Sequence, residues 1–108
     1  MFVEEKAKGE VPDFKLGTIR LSTAIRIGSK LRPQCTGRLF RGGASCALGA
    51  AAEALGMPYQ EGADFNPVPN HIWDVFRAVP KMEEIYARND SGKYTREQIA
   101  DWLESEGY

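Results

Sequence analysis

The chain has 108 residues, 43% of them hydrophobic and 27% charged, with a formal net charge of −1. That length and balance fit one globular domain with a modest core. No apolar run approaches the ~20 residues a membrane helix needs, and the composition is that expected of an ordinary soluble globular protein.

The small net charge hides a strong asymmetry. Between Phe14 and Ala52 there are seven basic residues and no acidic one, whereas Glu53 to Tyr108 carries eleven acids and five bases. One reading is that the two halves fold together and their opposite fields neutralise. It is the preferred one for the charge layout, because a nucleic-acid binder usually shows a basic balance over its whole domain. The other is that the basic segment meets an anionic partner.

In chain order, residues 1–13 read as a flexible polar arm, with Gly9 and Pro12 opposing regular structure. This arm is acidic and polar, unlike a secretory leader, so two reduced cysteines in a cytoplasmic setting are expected. A Cys35–Cys46 disulfide is the alternative for an exported chain. Residues 14–108 are expected to form a single domain. Ser22 reads as the N-cap of a first helix whose inward face is Leu21, Ala24, Ile25, Gly28 and Leu31, ended by Pro33. A loop or small hairpin around Leu39-Phe40 follows, over Gln34 to Gly43.

The stretch from Gly42 to Gly56 has the most to say about the fold. Ser45 reads as an N-cap, the next ten residues are almost all Ala, Leu or Gly, and Gly56 is a helix stop. So slim a helix lets neighbours approach its backbone, which marks it as the centre of the core. Met57 to Asn66 is a connector. Ile72, Val75, Phe76, Val79, Met82 and Tyr86 then share one apolar face across Pro80, as one kinked helix or two. Asn89 to Gly92 is a turn by composition. Thr95 and Gln98 form a capping box, with Ile99, Trp102 and Leu103 as the buried stripe of a last helix closed by Gly107. The fold expected is mainly α, a single compact domain of four or five short helices. One minor two-stranded element is possible near Phe14–Leu21, Leu39–Phe40 or Tyr94.

Cys46 is the sharpest candidate for chemistry. A thiol at a helix N-terminus feels the positive end of the dipole, which favours the thiolate, and His71, the single histidine, offers a base. A cysteine-dependent hydrolase or acyltransferase is therefore one alternative, although a cysteine on an alanine helix is more often core filler. Cys35, Cys46 and His71 lack the spacing that gathers metal ligands. Asn89 to Glu97 lacks the alternating oxygens of a calcium loop. Gly37 to Ser45 has phosphate-loop glycine spacing but no lysine to reach phosphates. No cofactor or metal is expected.

That same loop sets Arg38 and Arg41 beside helix amides, an anion-friendly arrangement. The expected contact surface is accordingly Arg26, Lys30, Arg32, Arg38 and Arg41. The leading expectation is a non-enzymatic interaction or regulatory module that binds an acidic protein or another anionic partner. Direct DNA binding is a further alternative.

Ser22-Thr23-Ala24-Ile25-Arg26-Ile27-Gly28, Leu31-Arg32-Pro33-Gln34, Ser45-Cys46-Ala47-Leu48-Gly49-Ala50-Ala51, and Asn89-Asp90 with Thr95 to Trp102 together resemble a group of small bacterial and phage-associated proteins. The resemblance spans about Ser22 to Glu104 and implies a compact, mainly helical cytoplasmic protein, with no activity or site residue to carry over. Thr95 to Leu103 alone is similar to the first helix of helix-turn-helix domains. No recognition helix follows before Tyr108, so a docking helix is expected there instead of a DNA reader.

Overall fold

In a computed structural model, residues 19–63 and 81–108 are described. Helix α1 (Leu21–Ser29) is followed by a hairpin of β1 (Phe40–Arg41) and β2 (Ala44–Ser45), then by α2 (Ala47–Ala54), α3 (Met82–Asp90) and α4 (Arg96–Ser105). The fold is a mainly α single domain with one small antiparallel sheet, in which Phe40 pairs with Ser45 and Arg41 with Ala44. Of the three places considered for a β element, the one at Leu39–Phe40 is therefore occupied. The polar arm, His71, Trp73 and the Pro80 junction lie outside the described residues.

Helix α2 is the centre of the core. Ala47, Leu48, Gly49, Ala50, Ala51, Ala52 and Ala54 are all buried, and the alanine-rich surface lets backbones meet. A Cβ built on Gly28 of α1 would stand 1.9 Å from the Ala50 carbonyl oxygen, and one on Gly49 would stand 2.3 Å from that of Leu39. Around this rod pack Leu21, Ala24, Ile25, Leu39, Phe40, Ile85, Ile99 and Leu103. Apolar burial of this kind is the main favourable term in folding.

Several local expectations change. Helix α1 has Arg20 as its N-cap, with extended backbone and no side-chain cap. Ser22 lies inside the first turn, buried, where its amide donates to the Tyr108 carbonyl at 3.2 Å and its hydroxyl to the same oxygen at 3.4 Å. The Tyr108 carbonyl thus satisfies one of the donors that a helix start leaves without an intrahelical partner. The expected inward face holds for Leu21, Ala24, Ile25 and Gly28, but Leu31 falls beyond the helix end and is 56% exposed.

Cys46, not Ser45, caps α2: its Sγ accepts from the Gly49 amide at 3.4 Å. Ser45 belongs to β2 and is held there by bonds on both sides. Its amide donates to the Pro33 carbonyl, and its carbonyl accepts from the Cys35 amide.

Asn89 and Asp90 form the last turn of α3, so the turn expected at Asn89 starts only at Ser91. Within α3 Ile85 is fully buried, while Met82 and Tyr86 pack from its flanks. In α4 the Thr95–Gln98 capping box forms in both directions. Ile99, Ala100 and Leu103 make the buried stripe; Trp102 is only half-buried, with the Arg88 guanidinium 3.9 Å from its ring centroid. A broad indole at the core edge keeps one face for a cation.

Candidate anion-binding hairpin

The hairpin between β1 and β2 turns on Gly42 and Gly43, whose φ values are 61° and 80°. Positive φ at both central residues is the two-residue turn whose twist matches antiparallel strands, and consecutive glycines are suited to it. Chain from Tyr59 to Ala63 lies alongside. The Gly62 amide donates to the Phe40 carbonyl at 3.0 Å and the Leu39 amide to that of Ala63 at 2.9 Å.

This pairing brings Glu61 over the turn. The Gly42 amide donates to both carboxylate oxygens of Glu61, each at 3.0 Å. The Gly43 amide donates to the Tyr59 hydroxyl at 2.7 Å, and that hydroxyl donates in turn to Glu61. Tyr59's bond, reinforced by the Gly42 amide, holds the Glu61 carboxyl below its usual range; the same bond to an anion raises the Tyr59 phenol. An anion therefore sits on this turn, the chain's own side chain, held by a turn amide and a phenol and not by the helix amides beside Arg38 and Arg41 on which the anion-friendly reading rests.

The tyrosine is firmly placed. Its ring lies 5.0 Å from that of buried Phe40, and the Arg32 guanidinium carbon sits 4.2 Å from its centroid. Arg32 is itself fixed by Glu53, whose two oxygens accept from Nε at 2.9 Å. A second loop amide is held by a carboxylate as well, that of Gly37 by Asp90 at 2.9 Å.

The predicted basic surface is divided between elements. Arg26 faces α4, with Nη2 at 2.7 Å from Asp101 and 2.8 Å from Glu104, and Nε at 3.7 Å from Glu97. Arg32 stands beside the hairpin through Tyr59. Arg38, before β1, and Arg41, at the end of β1, are exposed, and the positive charge of Arg41 further favours an ionised Glu61. Lys30 is exposed at the C-terminal end of α1.

Cys46, the candidate for chemistry and alternatively core filler, is packed in the hydrophobic core. The side chain is 1% exposed, and desolvation pushes its thiol up to about 12, outweighing the amide bonds from Gly49 and Leu48. Burial also raises Cys35, which is half-buried. Both cysteines are free, and the partner base considered for Cys46, His71, lies outside the described residues. Among the described residues, no three His, Cys, Asp or Glu side chains are grouped so as to hold a metal, and no helix is long and apolar enough to cross a membrane.

Behind the hairpin lies a polar core that the sequence analysis did not single out. Asn89 is fully buried: its Oδ1 accepts from the Ala47 amide at 3.1 Å and from Gln34 at 2.9 Å, and its Nδ2 donates to the Cys35 carbonyl at 2.8 Å. Arg96, 7% exposed, donates to the Ser45 hydroxyl at 2.8 Å, the Ser45 carbonyl at 3.3 Å, the Arg32 carbonyl at 2.6 Å and the Ser29 carbonyl at 3.3 Å. Desolvation lowers its pKa. From α3 and α4, these two side chains fasten the end of α1, β2 and the start of α2 together, so the turn is presented on a fixed base. No family model, curated protein or solved structure matches the chain.

Proposed function

We propose that the protein is a non-enzymatic binding module whose hairpin, with Arg32, Arg38 and Arg41, engages an acidic segment of a partner protein. The observation that carries this reading is the pair of donors at the turn, the Gly42 amide and the Tyr59 hydroxyl, meeting on one carboxylate at the surface, with the Gly43 amide donating to that hydroxyl. Fixed main-chain donors bind carboxylates without needing a counter-charge, and the neighbouring guanidinium groups add long-range attraction. The buried, protonated Cys46 supports a module over a thiol enzyme, because the thiolate is the reactive form. Arg26 is assigned to holding α1 against α4.

The test is fluorescence anisotropy of a labelled glutamate-rich peptide, at low and high salt, with the wild type and an Arg38→Glu/Arg41→Glu variant. Binding that weakens with salt and is lost on charge reversal is expected. Absence of binding, indifference to reversal, or stronger binding to a DNA oligonucleotide than to the peptide would overturn the reading.

A further inference from the structure

We infer that the Gly42–Gly43 turn is a carboxylate receptor and Glu61 its built-in competitor, so that an acidic peptide binds by displacing the chain's own side chain. The inference rests on the binding-module reading and adds the atoms of the site and the way it is gated.

The two sides of the contact differ in how they are held. On the receptor side stand a two-glycine turn fixed by the β1–β2 pairing and a tyrosine clamped between Phe40 and Arg32. On the other stands one exposed glutamate side chain. Every group that recognises it is a backbone amide or a phenol: Gly42 directly and Gly43 through the Tyr59 hydroxyl. None of these donors distinguishes Glu61 from a carboxylate brought by another chain.

Exposed charged contacts contribute little, because water competes for both partners. A peptide that brings one carboxylate to the turn and others to Arg41 can therefore replace Glu61 while keeping every turn donor satisfied. Two donors, the Gly42 amide and the Tyr59 hydroxyl, address the two oxygens of a single carboxylate, so the ligand class is an acidic peptide.

Peptide affinity is measured for the wild type, Glu61→Ala, Glu61→Gln and Tyr59→Phe, with circular dichroism to show that each variant is folded. Removing the competitor in Glu61→Ala is expected to tighten binding about two- to fivefold, the range of one exposed charged contact. Glu61→Gln should tighten it less, since its amide oxygen can still accept from Gly42. Tyr59→Phe, which loses the relayed donor, should weaken it. If the wild type binds and neither Glu61 variant binds more tightly, displacement is wrong while the module reading stands. If no variant binds, both fail.

Discussion

Arg96, in the first turn of α4, reaches 2.8 Å from the hydroxyl of Ser45, 51 positions earlier in the chain. The same guanidinium carries the Ser45, Arg32 and Ser29 carbonyls. One buried cation thereby closes the C-terminal end of α1, the end of β2 and the start of α4 on each other.

Arg96→Met should accordingly destabilise the fold by about 2–4 kcal/mol, because buried acceptors lose their donors and each unsatisfied group costs roughly 1–3 kcal/mol. Arg96→Lys should recover only part of this, since a point-like ammonium cannot span acceptors that a planar fork reaches together. Urea denaturation of both variants checks the order; equal stability of Arg96→Met and wild type would contradict it.

The crossing of α1 and α2 admits no side chain. With a Cβ on Gly28 falling 1.9 Å from the Ala50 carbonyl oxygen, Gly28→Ala must separate two helix backbones. A loss of about 1–3 kcal/mol is expected from overpacking, and Gly49→Leu should cost more. Thermal denaturation reads both, and an unchanged midpoint for Gly28→Ala would refute the close approach.

Burial of Cys46 has an alkaline signature. Burial pushes its thiol up to about 12, above the ordinary 9.0, so the folded state keeps a proton that the unfolded chain releases. The resulting stability is intact below about pH 9 and is lost as pH rises from 9 toward 12. Compared with wild type, Cys46→Ala should show a shallower fall in stability over that window. Alkylation of Cys46 in the native protein should be slower than in the denatured protein; equal rates would contradict burial.

Asn89→Asp tests the polar core. The Nδ2 donor to Cys35 is lost and a carboxylate replaces a fully buried amide. A cost of about 2–4 kcal/mol at neutral pH is expected. It should shrink in acid, where the buried carboxyl takes up a proton. A variant whose cost is the same at both pH values would refute the placement.

What the sequence discloses follows the range of each interaction. The Thr95–Gln98 box and the slim alanine run from Ala47 to Ala54 are decided within a few residues, and both are legible. Ser45 misleads because its hydroxyl is taken by Arg96, far along the chain, which leaves Cys46 to cap α2. For Cys46 the helix end is readable but its desolvation is not, and desolvation dominates the thiol. Of the candidate site, the sequence reading reaches only a loop or small hairpin around Leu39-Phe40; the turn itself falls on Gly42 and Gly43, read there as the entry to a helix. Consecutive glycines beside Phe40 and Arg41 suit a tight hairpin, whereas the approach of Tyr59 and Glu61 depends on Gly62 and Ala63 pairing with Phe40 and Leu39, which no local motif encodes.

The most direct measurement is an amide-proton NMR titration of the labelled protein with the glutamate-rich peptide. The Gly42 and Gly43 resonances, together with those of Arg38, Arg41 and Glu61, should move first and furthest, while α2 stays unchanged. Shifts centred on another face, with the two glycines still, would contradict the hairpin as the binding surface.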